Sequence, residues 1–320
     1  MDLIYTDAER VDRGVLSAYS LDLSFGADES ENDFEMTIGV DEAAVEFGAF
    51  VYMEGTEYGG TVDAKKAKSN GESVTYIGRT WHGVMNSKVI EPNPGENYLV
   101  VSGEANGILS MLVDRLGLSG LFSAVEDSSG INISRYQFRR YCKGYDGIRA
   151  MLAANGAKLK IVWRNRSVCL SAEPIVDYTE SPVDGDEATL TVEQHAQKVN
   201  HLVCLGRGEL AEREVVHLYA DQYGNIGDVQ YFTGLDEVAE VYDNTNSEDL
   251  RSDGIKKLEE LRDNDKAEMD LNESESPAYD IGDIVGATDV ESGITVSSAV
   301  TQKIVRINNG AISTEYKTGS

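Results

Sequence analysis

The sequence predicts an α+β fold that is mainly β, with two related small β-barrels and an inserted α+β domain. Two patterns support this prediction. Short apolar runs alternate with polar residues along much of the chain, which is typical of strands that bury one face. The same order of glycines, strands and an Asn-Gly pair also occurs twice, once from Gly48 and once from Gly282. We interpret this repeat as an internal duplication of one barrel.

The later copy lies in residues 279–318 and contains four short strands. Its Asn309-Gly310 pair predicts a two-residue hairpin turn, because both positions must tolerate positive φ. We expect the four strands to close into a small barrel or to pair with other strands of the chain, since open edges are a liability. The strand segments are Ile281–Val285, Gly293–Val296, Val300–Ile307 and the return strand with Ile312, Thr314 and Tyr316 on one face.

The earlier copy follows the same order with slightly shorter spacing. It is built from Gly48–Val51, Gly60–Val62, the Asn70-Gly71 turn and Ser73–Tyr76. The alternative is that Asn-Gly hairpins are common in any β protein, in which case the likeness of the two segments carries no meaning.

Charge and composition exclude several classes of protein. The net charge is -28, with 56 acidic against 28 basic residues, so we expect no sequence-specific nucleic-acid binding. Simple solubility explains the acidic balance equally well. The sequence has neither a long apolar run nor a signal peptide, so we expect synthesis in the bacterial cytoplasm and no membrane anchor. Cys142, Cys169 and Cys204 lack CxxC spacing, which indicates free thiols and no disulfide framework.

Three domains are expected in chain order. Residues 1–101 form the first barrel, with a Tyr19–Phe25/Phe34–Ile38 hairpin and a connecting loop at 80–101 that contains Pro92 and Pro94. Residues 102–198 form the inserted α+β domain and a polar linker at 176–198. Its predicted elements are a helix with Ile108, Met111, Leu112 and Leu116 on one face, a helix near Tyr145–Ala154 and a hairpin that turns at Arg164-Asn165-Arg166.

Residues 199–320 form the second barrel with one long helix. Strands are expected at Val199–Gly206, Glu214–Ala220 and Asp228–Phe232, with a hairpin tip between the last two. A short helix is expected at 235–243, and a long one from about Glu248 to Glu268 that is capped by Asn246 or Ser247.

No residue pattern predicts catalysis, so we expect no catalytic, cofactor-binding or metal-binding residues. His195, His201 and Cys204 are close in sequence, but His201 and Cys204 fall on opposite faces of one strand. Cys142 is the only cysteine outside a predicted strand, and no histidine is near it in sequence. His82 and His217 belong to no metal-ligand motif.

Several polar segments have simple structural explanations. The Asp221–Asp228 loop could offer oxygen ligands to calcium, but it lacks the order of an EF-hand and a hairpin turn explains it. Gly206-Arg-Gly208 is too short to cradle a phosphate. Trp81 and Trp163 are expected in the core. The basic cluster of Arg135, Arg139 and Arg140 with Tyr136 and Tyr141 fits an acidic neighbouring subunit or a plain solvated face.

Four segments together resemble one family: TYIGRTWHGVMNSKVIEP from residue 75, SGEANGILSMLVDRLGL from 102, HLVCLGRGELAEREVVHLYAD from 201, and the closing YDIGDIVGA…TQKIVRINNG…YKTG. The chain is similar to the baseplate-hub (tail-associated, tail-tip) proteins of siphophages and prophages of Gram-positive bacteria. The resemblance implies a structural virion protein with two barrels per chain. It also implies a homotrimer whose six barrels form a ring through which DNA passes.

The same resemblance implies other phage tail proteins as partners: the distal tail protein, the tail tube, the tape measure and a tip or receptor-binding protein. It supplies no catalytic residues. Two alternatives remain. A carbohydrate-binding tip module would carry exposed aromatic residues in one concave patch. A wall hydrolase would place Cys142 or a pair of carboxylates in a cleft with a perturbed pKa.

Overall fold

A computed structural model describes residues 2–26, 32–42, 44–69, 71–180, 183–184, 188–193, 198–245, 247, 249–262, 266–272, 279–289, 294–308 and 310–319. Several residues of the sequence predictions lie outside these described ranges: His195, Asn70, Asn246, Glu248, Gly293 and Asn309. The described chain divides into two compact units, Met1–Leu190 with Met269–Gly319, and Thr191–Glu268.

Seven strands open the chain: β1 (Leu3–Thr6), β2 (Asp12–Leu16), β3 (Tyr19–Gly26), β4 (Asp33–Gly39), β5 (Phe50–Tyr52), β6 (Gly59–Ala67) and β7 (Ser73–Thr80). The predicted β3–β4 hairpin is present, and its alternating apolar side chains are buried. The core of this region combines buried side chains from all seven strands, mainly β3 and β4, with Val305 and Ile307 of a later strand.

The next segment alternates short helices and strands: α1 (Trp81–Asn86), β8 (Val89–Ile90), β9 (Val100–Glu104), α2 (Ala105–Arg115), β10 (Phe122–Ala124), β11 (Asn132–Gln137), β12 (Cys142–Lys143), α3 (Gly144–Ala153), β13 (Ala157–Arg164) and β14 (Ser167–Pro174). The predicted β13–β14 hairpin is present, and Asn165 and Arg166 both take the positive φ that its tight turn requires. Three expectations fail here. The 80–101 stretch contains α1 and β8, Cys142 lies in a strand, and Met111 is 37% exposed.

The second unit holds β17 (His201–Leu205), β18 (Val215–Ala220), β19 (Ile226–Gly227), β20 (Ala239–Asp243) and α4 (Leu250–Arg262). The predicted helix at 235–243 is wrong, because β20 pairs in parallel with β17. The Asp228–Phe232 strand is also wrong, since β19 ends at Gly227. Asp249 caps α4 by accepting a hydrogen bond from the Ser252 amide at 3.0 Å, so the predicted Ser247 cap is wrong.

The remaining strands are β15 (Val183–Asp184), β16 (Ala188–Glu193), β21 (Lys266–Asn272), β22 (Ile284–Asp289), β23 (Ile294–Asn308) and β24 (Ala311–Thr318). Strands therefore lie within the predicted 176–198 linker, and β21 takes the end of the predicted 248–268 helix. The two predicted strands at 293–296 and 300–307 are one continuous strand, β23.

The described strands of both predicted barrels belong to one 13-stranded sheet with the order β16-β21-β24-β23-β3-β4-β7-β6-β5-β1-β2, to which β15 and β22 attach beside β23. No closed barrel is found among the described strands, so the two separate barrels stay a prediction. Their strands are joined by antiparallel pairing of β23 with β3, the pairing with other strands that the sequence left open. The sequence-based division at 101/102 and 198/199 stays a prediction.

Candidate assembly site

Two sets of five strands in the large sheet share one topology. In the first module, β3 to β7, the sheet order is first, second, fifth, fourth, third in chain sequence. In the second module, β16 and β21 to β24, the order is the same. The fourth strand of the second module, β23, pairs with the first strand of the first module, β3. We call this pairing of a fourth strand with the first strand of the other module a joint, and one chain contains one complete joint.

In the first module, a glycine fixes the entry to the third strand. Gly48 has a φ of +81°, and its amide donates to the Val62 carbonyl at 2.8 Å. The Val62 amide donates back to Ala49 at 2.9 Å. The hydroxyl of Tyr76 accepts a hydrogen bond from the amide of Val45, three residues before the glycine, at 3.2 Å.

The second module repeats each of these contacts. Gly282 has a φ of +99°, and its amide donates to the Val300 carbonyl at 2.9 Å. The Val300 amide donates back to Asp283 at 2.8 Å. The Tyr316 hydroxyl accepts a hydrogen bond from the amide of Tyr279, again three residues before the glycine, at 3.2 Å. The repeated glycine pattern in the sequence therefore corresponds to repeated backbone geometry.

The fourth strand of each module is divided by a β-bulge at the same place. The register of β6 against β7 shifts at Asp63, and the register of β23 against β24 shifts at Thr301. Two residues after each bulge stands a lysine over the tyrosine ring described above: Lys65 lies 5.3 Å from the Tyr76 ring, and Lys303 lies 5.8 Å from the Tyr316 ring. Lys65 and Lys303 are therefore equivalent positions.

The two fourth strands differ in what covers their second halves. Before the bulge, β23 pairs with β22, and after it residues Gln302–Asn308 pair with β3. Before its own bulge β6 pairs with β5, but no described strand pairs with Asp63–Ala67 on the side away from β7. These residues are all exposed. This half-edge of β6 is the candidate assembly site.

At the occupied joint, Lys303 is held in a buried ion pair. Its Nζ lies 2.8 Å from Glu57 Oε1, and the two side chains are only 7% and 16% exposed. Burial alone would lower the pKa of Lys303, but Glu57 reverses the effect and raises it. Burial likewise opposes ionisation of Glu57, yet Lys303 and His82 hold its pKa below the ordinary value. No described carboxylate lies within ion-pair distance of the equivalent Lys65.

A second buried ion pair ties the segment before β22 to β13. Lys158 Nζ lies 2.8 Å from Asp283 Oδ2, and these side chains are 5% and 1% exposed. Next to them Lys160 binds Asp280 at 2.7 Å. Asp283 occupies the position that Ala49 holds in the first module, so this contact distinguishes the second module from the first.

Among the described histidines, His82 lies beside this joint. Its Nε2 lies 3.5 Å from Glu57 Oε2, and its ring packs 4.8 Å from the ring of Phe25 and 5.1 Å from that of Tyr145. Burial lowers the pKa of His82 to about 4, although Glu57 opposes that shift. His82 is therefore neutral at neutral pH and contributes to the core.

This lowered pKa predicts an acid-sensitive fold. Between His82's folded pKa and its ordinary value of 6.5, the unfolded chain binds a proton that the folded chain does not, so stability falls as the pH falls through that window. The free energy of unfolding, measured with urea, should be lower at about pH 5 than at about pH 7.5, and His82 should account for about 2 kcal/mol of the difference. In the variant His82→Gln, the free energy of unfolding should change less between these two pH values, because the contribution of His82 is removed. If the variant shows the same change as the parent chain, His82 is not the source of the acid sensitivity.

The other residues singled out in the sequence do not gather into a catalytic site. His201 and Cys204 point to opposite faces of β17, as predicted, because His201 contacts His217 at 2.8 Å while Cys204 is buried beneath α4. Burial raises the pKa of the Cys142 thiol, which disfavours a reactive thiolate. Trp81 and Trp163 are buried and stacked, with ring centroids 4.9 Å apart, which confirms them as core residues.

The loops expected to be simple turns are turns. Asp221 Oδ1 accepts hydrogen bonds from the amides of Tyr223 and Asn225, so this carboxylate closes its own hairpin. Gly208 takes a φ of +97° just after β17 ends. Arg139 and Arg140 are exposed, and Arg140 stacks on Tyr141 at 5.1 Å. Within the described ranges no three His, Cys, Asp or Glu residues converge on a point where a metal could bind.

Among the described helices, none combines the length and apolarity needed to cross a bilayer.

Three solved structures that share this fold are tail proteins, two of them from prophages. The prophage tail protein gp18 from Listeria monocytogenes matches 100% of this chain and 94% of its own, with a TM-score of 0.57 and 14% identity. The 43 kDa tail protein of prophage MuSo2 from Shewanella oneidensis matches 99% and 98%, with a TM-score of 0.56 and 12% identity. A tail protein from Neisseria meningitidis matches 100% and 96%, with a TM-score of 0.51 and 12% identity.

At these identities the likeness concerns the fold. No protein-family model and no curated protein matches the chain.

Proposed function

We propose that this chain is a structural, non-enzymatic protein of a phage or prophage tail tip. In this proposal it forms the hub ring that joins the tail tube to the tip and lets DNA pass. The fold shared with prophage tail proteins over nearly their whole length supports the general class. The proposed location is the virion of a phage of a Gram-positive host. The proposed partners are the distal tail protein, tail tube, tape measure and tip or receptor-binding protein.

The observation that carries the ring is the half-edge of β6. Within one chain, the second half of β23 is covered by the first strand of the next module. The equivalent half of β6 is exposed, and β16, the first strand of the second module, ends the described sheet on the other side. Pairing β6 of one chain with β16 of another would repeat the internal joint head to tail. Such heterologous contacts form a closed ring when the rotation between neighbours allows it.

Three chains would supply six modules, which is the homotrimer proposed here. In that ring each Lys65 would take the role of Lys303 and meet a carboxylate of the neighbouring chain's second module. The acidic balance of the whole chain, with its net charge of -28, would also disfavour adhesion of DNA to the ring. Closure of the modules into barrels belongs to this assembled state.

The ring proposal predicts that Lys65→Glu abolishes trimer formation without unfolding the chain. Lys65 is exposed, so its replacement removes no described ion pair, but it would place a negative charge opposite an acidic neighbour. Native mass spectrometry should show trimers of the parent chain and monomers of the variant, and the two should have the same far-UV circular dichroism spectrum. Lys256→Glu, an equal charge change on the exposed face of α4, should leave the trimer intact. Trimers of the Lys65 variant would exclude this edge as the interface.

A further inference from the structure

Among the described residues of the Thr191–Glu268 unit, α4 covers one face of a four-stranded sheet. Its order is β19-β18-β17-β20, and α4 packs on the face that carries Leu202, Cys204 and Leu218. The packing is close, because a Cβ on Gly254 of α4 would lie 2.5 Å from the sulfur of Cys204. The residues between these positions therefore point to the opposite face, which we call the outer face.

The outer face has an apolar centre that extends over three strands, beside a polar group of His201, His217 and Tyr219. Val203 of β17 stands beside Val241 of β20, and Leu205 stands opposite Val215 of β18. Val241 is 62% exposed and Val215 is 46% exposed. A sheet with one solvated face normally places polar residues on that face. Contiguous exposed apolar side chains instead indicate a binding surface.

The β17–β18 loop presents a further apolar side chain. Leu210 is 95% exposed and has a φ of +53°, a conformation that is unfavourable for leucine. The loop is nevertheless well defined, since the Gly206 and Glu214 backbones are hydrogen-bonded at 2.9 Å and the Glu214 amide donates to Arg207 at 2.7 Å. Such a loop holds an exposed leucine at a fixed place at the end of the sheet.

Charges around the outer face are mainly acidic. Glu209 and Glu212 flank Leu210 and are exposed, and Glu237 stands at the other end of the sheet, where it binds His201 at 2.6 Å. In residues 191–268 as a whole, acidic residues outnumber basic ones more than two to one. A second copy of the same face would bring like charges together, whereas a basic rim on a different protein would be attracted.

We infer that the outer face of this unit is a docking surface for a second tail protein, one with an apolar patch surrounded by Lys and Arg. The inference rests on the proposed function for the identity of the particle in which the partner is found. It is separate from the ring joint, which uses β6 and β16. Val203, Val241, Leu205 and Val215 form the apolar centre of the contact, and the acidic side chains around them select the basic partner.

Cysteine labelling of tail particles tests this surface. Val241→Cys and, as a control on the α4 side, Lys256→Cys are introduced into the phage or prophage that encodes the chain, and maleimide labelling is compared in the free chain and in purified tails. The thiol introduced at position 241 should label at least about tenfold more slowly in tails, as expected for the buried core of an interface. The thiol introduced at position 256 should label at similar rates in both. Rapid labelling of the Val241→Cys variant in tails would overturn the inference and leave the proposed function standing.

A matched pair of glutamate variants gives a second readout. Val241→Glu should reduce incorporation of the chain into tails by about tenfold or more, because a charge would enter the apolar centre. Val229→Glu makes the same change at a side chain that is 58% exposed but outside the sheet, and it should have no effect. If Val241→Glu instead disrupts self-association of the purified chain, the face joins copies of this chain and the inference is wrong. A chain absent from tails would overturn the proposed function and the partner named here.

Discussion

Replacing Lys303 with methionine is expected to lower the free energy of unfolding by about 3–5 kcal/mol, because Glu57 would keep its buried charge without its main partner. Both side chains are almost completely buried, and His82 beside them is neutral at neutral pH and cannot replace the lysine. A loss of this size is a large part of the net stability of a domain. Urea unfolding followed by circular dichroism at neutral pH measures it.

The matched control is the double variant Glu57→Gln/Lys303→Met. It removes both charges, so it should recover much of the stability that either single variant loses, and the double-mutant cycle should give a coupling energy of at least about 1 kcal/mol. If Lys303→Met alone lowers the free energy of unfolding by less than about 1 kcal/mol, the ion pair is not the main contact at the β23–β3 joint.

Replacing Trp163 with alanine should lower the free energy of unfolding by about 3–5 kcal/mol as well, since it removes a large side chain from a closed core. Trp163 is 3% exposed, stacks on Trp81 and lies 4.3 Å from the ring of Tyr52. Its backbone also binds the turn after β5, where the Gly55 amide donates to its carbonyl at 2.9 Å. Chemical unfolding followed by far-UV circular dichroism gives the change in stability.

Trp163→Phe separates ring packing from the indole nitrogen. The Trp163 Nε1 atom is buried and has no hydrogen-bond partner among the described residues, so phenylalanine removes an unsatisfied donor while keeping an aromatic ring. The phenylalanine variant should therefore lose clearly less stability than the alanine variant. Equal losses in the two variants would show that the stacked ring contributes little.

Local patterns were readable from the sequence because they depend on neighbours in the chain. The alternation in β3 and β4 predicted the buried faces, and the repeated glycines predicted two related segments, although not the positive φ that the structure shows at Gly48 and Gly282. The β20 segment misled the prediction, because the spacing of Leu235, Val238 and Tyr242 is also helical. Its strand state depends on parallel pairing with β17, which lies far earlier in the chain.

The candidate site was only half predictable. The repeat pointed to two equivalent modules, and alternation puts Lys303 on the same buried face as Val305 and Ile307, but nothing local identifies Glu57 as its partner. That ion pair joins residues 246 positions apart. Only the sheet order shows that one half-edge is occupied while its equivalent on β6 is exposed.

The most direct test of the ring is zero-length crosslinking of an equal mixture of ¹⁴N- and ¹⁵N-labelled chains. Carbodiimide joins lysines to nearby carboxylates, and mass spectrometry distinguishes links between chains from links within one. The β6–β16 joint predicts mixed-isotope links from Lys65 or Lys66 to carboxylates in residues 184–193. If the assembled protein gives links from these lysines only within single chains, or to a different segment of the neighbour, the head-to-tail ring proposed here is wrong.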